Sequence, residues 1–183
     1  IPRAGTQVVM YYGNSGASPA SDGSSVFPFF DSGSGSSLSS SWTNRGGTWT
    51  VGSGYLREGG TTSGSWDQIF GGSSSWTDYT LETDMYIESG NAAITVRSSG
   101  TSDGSNIVYE FTSGTIYRLY DNTFSPSSSV TSATPLQQWI PIQIVVGGST
   151  IKISKSGTVA WTDAITGHSS GRIGLGDFGP GQA

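Results

Sequence analysis

The sequence predicts an all-β fold, with two antiparallel sheets packed face to face as a sandwich. Two observations carry this. Apolar residues recur at period two in one run after another, and turns of two or three Gly or Ser residues separate the runs. Nothing in the chain keeps a helical period.

The clearest stretch is residues 136–176. Ile140, Ile142, Ile144 and Val146 alternate with their neighbours as a half-buried strand requires. Gly147 and Gly148 turn the chain into a second alternating run, Ile151 and Ile153 with Lys152 and Ser154 between and beyond them. Ser156 and Gly157 make the next turn before Thr158, Val159, Ala160 and Trp161, and Gly171 precedes a short last run over 172–175. Strands this short, joined by turns this tight, must pair with their sequence neighbours. The result is an antiparallel meander.

The front half repeats the pattern. Residues 26–31 (Val-Phe-Pro-Phe-Phe-Asp) are expected to form the first sandwich strand, with Pro28 at an edge or bulge. Residues 32–41 are a Gly/Ser loop. Residues 48–51 and 55–57 read as a hairpin about Gly52, Ser53 and Gly54, and 66–70 as another strand. Residues 79–88 form the longest alternating run of this half. Tyr79, Leu81, Thr83, Met85 and Ile87 share one face, and Glu82, Asp84, Tyr86 and Glu88 the other. Residues 92–97, 106–111 and 115–120 follow, the last two as a hairpin about Ser113 and Gly114. Roughly a dozen strands suit two packed sheets joined by Greek-key connections.

Composition agrees. A chain of 183 residues fits one sandwich with a full core. Gly, Ser and Thr make up close to half of it and charged residues only 11%, a balance that alone would suggest disorder. Six Trp, eight Tyr and seven Phe spread among β-branched runs supply the apolar area that disorder lacks. A net charge of −5 with only eight Lys and Arg argues against nucleic acid, whose phosphates need clustered cations. There is no cysteine, hence no disulfide and no thiol chemistry. No apolar run approaches the ~20 residues of a membrane span. The chain begins at Ile1 with no visible signal peptide, which reads as a processed chain or a fragment.

The order of Trp139, alternating strand, Gly-Ser turn, Ile-Lys-Ile strand, Ser-Gly turn, apolar-Trp strand and Ser-Gly-Arg-Ile-Gly-Leu resembles the C-terminal half of the concanavalin A-like jelly rolls. The matching residues are Trp139, Ile142, Ile144, Ile151, Ile153, Gly157, Val159, Gly171, Ile173, Gly174 and Leu175. Trp49, Tyr55, Leu56 and the run from Trp76 to Glu82 extend the likeness upstream, over roughly residues 26–178. The resemblance implies a lectin/glucanase or laminin-G-like jelly roll from the surface of a bacterium or archaeon. It specifies function poorly, because this fold hosts hydrolases, lectins, adhesins and structural modules. Residues 1–25 differ in character and resemble the tail of an uncharacterised domain that precedes such jelly rolls. The expected division is therefore an N-terminal arm over 1–25 and a sandwich over 26–183.

Against this background four features are candidates for chemistry. Glu82, Asp84 and Glu88 resemble the carboxylates that glucanases of this fold carry on one strand. Retaining chemistry needs carboxyls about 5 Å apart, whereas six residues of strand span roughly 20 Å, so no catalysis is expected. His168, the single histidine, reads as a solvent-exposed loop residue. The resemblance implies a calcium ion (Ca2+) at the sandwich edge, for which Asp31 and Asp177 occupy the matching places. Trp42, Trp66 and Trp161 flank Ser/Gly turns and are candidates for stacking on sugars, as is Tyr86, whereas Trp49, Trp76 and Trp139 match core positions.

A fifth feature concerns the ends. Relatives continue past the Gly-Leu-Gly turn into one more apolar strand, while this sequence ends in Gly179, Pro180, Gly181, Gln182 and Ala183. An open sheet edge is then expected, and Thr6, Gln7, Val8, Val9, Met10, Tyr11 and Tyr12 form a strand that could fill it in the same copy or in a neighbour. Two functions follow. One is a non-catalytic extracellular or cell-surface module that binds carbohydrate or mediates adhesion. The alternative is a structural subunit of a filament built by strand exchange between copies.

Overall fold

The computed structural model describes residues 22–59, 66–101, 105–121 and 125–178. The chain divides into two compact units, Ile1–Phe30 and Asp31–Ala183. In the first, Asp22 caps a single 3-10 turn, Gly23–Ser25, by accepting from the Ser24 backbone N–H. Residues 26–30 form no strand; turn and bends replace the one expected there. Pro28 supplies no backbone donor, and Phe27 and Phe30 stack on each other at 6.1 Å, so this piece closes on itself. Residues 6–12, the expected exchange strand, lie outside the described residues.

The second unit is the two-sheet antiparallel jelly-roll sandwich. Its strands are β1 (Thr43–Asn44), β2 (Trp49–Gly52), β3 (Tyr55–Glu58), β4 (Trp66–Gly71), β5 (Tyr79–Tyr86), β6 (Ala92–Ser98), β7 (Ile107–Phe111), β8 (Thr115–Tyr120), β9 (Ser128–Thr131), β10 (Trp139–Gly147), β11 (Thr150–Lys155), β12 (Thr158–Ala164) and β13 (Arg172–Phe178). Seven strands pair in the order β1-β4-β13-β6-β7-β8-β9, four in the order β12-β11-β10-β5, and β2-β3 stands as a separate hairpin. The β10-β11-β12 meander forms as its turns require. Ser156 and Gly157 both take positive φ, 47° and 79°, which is the backbone of a two-residue turn whose twist matches the flanking strands.

β13 lies between β4 and β6 and is paired on both sides. The last strand itself therefore has no open edge among the described residues. It is β5 and β12 that end the four-stranded sheet, and β1 and β9 the seven-stranded one.

Alternation decides which side chains are buried. On β10, Ile140, Ile142, Ile144 and Val146 point inward with Ile151 and Ile153 of β11 and Leu81 and Met85 of β5. From the seven-stranded sheet, Tyr109 reaches across to meet Trp161 edge-on at 5.5 Å and to donate its hydroxyl to Asp163 at 2.9 Å. Arg118 also crosses and pairs with Asp163 at 2.6 Å. A second apolar cluster, Trp66, Ala93, Val108 and Leu119 with Tyr117 against it, covers the opposite face of the seven-stranded sheet. The centre of that sheet is thus buried on both faces, which is why residues 66–71 show no alternation.

Candidate functional site

A groove of about 790 Å³ runs along β5, walled by the β2-β3 hairpin, the start of β6 and the end of β13. Three aromatic side chains stand at its rim. Trp139 is the direct partner of Tyr86 across β10 and β5, with ring centroids 5.3 Å apart. Tyr55, beside the turn of the β2-β3 hairpin, approaches Trp139 from the other side at 5.8 Å. All three remain open to water, at 52% for Trp139, 42% for Tyr86 and 41% for Tyr55. Exposed large aromatics grouped in one concavity have no packing explanation and form a surface on which a flat apolar ligand face can stack.

The parity of β10 produces this arrangement. Its even residues fill the core, so Trp139, Pro141 and Gln143 must face out, opposite Tyr86, Asp84 and Glu82 of β5. Trp139 is accordingly not the core residue expected from the family pattern. Its position follows from the same alternation that identified the strand.

The other predicted stacking residues land elsewhere. Trp42 and Trp66 are 7% and 6% exposed. Trp42 donates its indole N–H to Asp31 at 2.7 Å, and Trp66 belongs to the second apolar cluster. Trp161 is half-buried between the sheets against Tyr109, because it pairs with the core residue Ile153. None of the three offers a free face. Tyr86 alone of the predicted four lies in the groove.

Two carboxylates, Glu58 and Asp177, line the groove's other wall, with Asp67 buried behind them. Glu58, Asp67 and Asp177 bring one oxygen each within 4.8 Å of one another. Asp67 and Asp177 are direct partners on β4 and β13, and Glu58 comes from the end of β3. The Asp177 carboxyl is pushed up to about 7, first by burial and then by the charges of Glu58 and Asp67. Its Oδ1 is buried without a hydrogen-bond partner among the described residues. Three carboxylates this close either share a proton or gather a cation. Asp31, expected beside Asp177 as a calcium ligand, is not one of this group. Its two oxygens accept from the Gly33 N–H at 2.8 Å and the Trp42 indole at 2.7 Å.

The glucanase-like carboxylates are separately occupied. Glu82 accepts from Gln143 Nε2 at 2.8 Å, and Glu88 pairs with Arg57 at 2.6 Å. His168 is not a solvent-exposed loop residue. Its ring stacks on Tyr120 at 5.4 Å and its Nε2 meets Asp121 Oδ1 at 2.7 Å, a partner distant in sequence.

Comparison with known proteins bears on the fold. A family model described as a domain of unknown function, DUF2341, matches residues 1–52. No curated protein matches the chain. Among solved structures the chain resembles the carbohydrate binding module CBM66 from Bacillus subtilis, at 18% identity and a TM-score of 0.63, covering 76% of this chain and 88% of that one. It also resembles a Crh5 transglycosylase, at 19% identity and a TM-score of 0.59 over 80% of this chain and 65% of that one. A β-glucanase from Bacillus licheniformis gives 13% identity and a TM-score of 0.55 over 76% and 79%. At such identities the likeness establishes a shared jelly-roll sandwich, and the chain spans just under two thirds of the transglycosylase.

Proposed function

We propose that this chain is a non-catalytic module that binds carbohydrate in the groove along β5. The observation that carries this reading is the cluster of exposed rings, Tyr55, Trp139 and Tyr86, at the rim of that groove. A sugar ring has an apolar C–H face and a hydroxyl edge. The aromatic rings meet the first, while Asp84, Glu58 and Asp177 on the groove wall accept from the second. The fold shared with a carbohydrate binding module supports the reading.

No step of glycoside cleavage is assigned to this surface. Glu82 and Glu88 stand six residues apart, roughly 20 Å along a strand, and each is held by a different partner. The reading goes with an extracellular or cell-surface location, where polymeric glycans are met, and with attachment as the module's task. Residues 1–25 act in it as an arm preceding the sandwich.

A second reading, the strand-exchanged filament, is favoured by one feature. β5 is eight residues long, ends its sheet and pairs only with β10 among the described residues. An edge of that length accepts an added strand.

A glycan array separates the two. The wild-type chain and Trp66→Ala that still folds bind the same glycans, whereas Trp139→Ala loses them. An array blank for all three, with fibres visible by electron microscopy, would favour the filament.

A further inference from the structure

The groove does not stop at the aromatic rim. A second depression of about 450 Å³ crosses the outer face of β5, β10 and β11, lined among others by Glu82, Asp84, Gln143 and Ser154. The two concavities share Thr83 and Asp84 in their walls. From Tyr86 to Glu82 is four residues of β5, roughly 13 Å at the usual strand rise. The far wall adds length across two more strands at about 4.8 Å each. A single sugar cannot occupy such a path. A linear chain can.

The charge along this path has one sign. Glu82 and Asp84 line the depression, and Glu58, Asp84, Glu88 and Asp177 line the groove. Among the described residues the one cation in either lining, Arg57, is already paired with Glu88 at 2.6 Å. Lys152 stands on the same outer face of β11 but outside the lining of the depression. The Oδ1 atom of Asp177 is buried and has no partner among the described residues. A uronate or sulfated chain laid here would place like charges together. A chain bearing protonated amino groups would supply both the donors and the opposite charge.

We propose that groove and depression form one track for the interior of a linear glycan that carries free, protonated amino groups. This rests on the carbohydrate reading of the groove and specifies its ligand. The rings of Tyr55, Trp139 and Tyr86 hold one sugar face, and the carboxylates on either side of Asp84 pair with successive ammonium groups.

The test is titration calorimetry at low salt with four probes: a glucosamine hexamer with free amines, the same hexamer fully N-acetylated, the free-amine dimer and a galacturonic acid hexamer. The free-amine hexamer is expected to bind at least about tenfold tighter than the acetylated hexamer and the dimer, with no measurable binding of the uronate. Asp84→Asn and Glu58→Gln should each remove about fivefold of the amine's advantage over the acetylated chain. Added salt should shrink the advantage. Equal binding of amine and acetylated chains, or binding of the uronate, overturns the proposal. So does an amine advantage that chelation with EDTA abolishes, which would assign the carboxylates to a metal ion. If the charge preference is absent but Trp139→Ala still abolishes binding of array glycans, the groove stands and only its ligand class is wrong. If no probe binds and the array is also blank, both readings fall.

Discussion

Trp139 and Tyr86 are register partners across β10 and β5, and their rings meet 5.3 Å apart at 52° on the outer face of the four-stranded sheet. Two large aromatics paired across strands on the wet side of a sheet add stability of about 1 kcal/mol at most. Their grouping with Tyr55 in one groove therefore points to a ligand rather than to the fold.

The two kinds of tryptophan should separate cleanly. Trp139→Ala is expected to weaken glycan binding at least about tenfold and leave the melting temperature almost unchanged. Trp66→Ala should cost about 3–5 kcal/mol of stability, because its ring fills the second apolar cluster. Denaturant melts beside binding isotherms read both.

Arg118 and Asp163 form an ion pair that is nearly sealed between the sheets, with Tyr109 donating to the same carboxylate. Asp163→Ala leaves the guanidinium without its partner and is expected to destabilise by about 3–5 kcal/mol. The paired replacement Arg118→Met with Asp163→Leu should cost clearly less, since no buried charge is then orphaned. Equal losses would show that packing, not charge, holds this contact.

Stability should depend on pH through Asp177. Its folded value, about 7, lies above the ordinary 3.8, so folding strengthens its hold on the proton. The group's contribution is complete below about 3.8 and is lost as pH rises through about 7. The full shift would be worth ~4 kcal/mol at 1.36 kcal/mol per unit, but a partly solvated carboxyl realises only roughly 1–2 kcal/mol of it. Asp177→Asn should flatten the decline over that range. A decline equally steep in the variant would assign it to other groups.

Glu82→Gln should leave the hydrolysis of any bound glycan at the rate seen in buffer alone, as in the wild type. Turnover by the wild type that this substitution abolishes would restore a catalytic role to β5.

The strands were legible wherever one face is wet. Residues 79–88 and 139–155 alternate, and β5, β10 and β11 follow them closely. Turn chemistry at Ser53, Gly54, Ser156 and Gly157 located two hairpins. β9 carries only Ser, Val and Thr, a composition shared with the loops, and offered no signal. Residues 26–30 are apolar enough for a strand but are not one, because composition says nothing of what they pair with. Trp139 was misplaced although its parity on β10 gave the answer. The trio of Glu58, Asp67 and Asp177 could not be read, since it joins three strands brought together only by the crossover connections of the sheet. The same holds for His168 and Asp121.

The groove is tested most directly at the indole of Trp139 itself. Iodide quenching of the tryptophan emission, measured with and without a saturating glycan selected on the array, reports whether that ring is covered. The accessible fraction is expected to fall on binding in the wild type, and to be unchanged by the glycan in Trp139→Phe. Undiminished quenching in the wild type with the glycan demonstrably bound would contradict the assignment of the site.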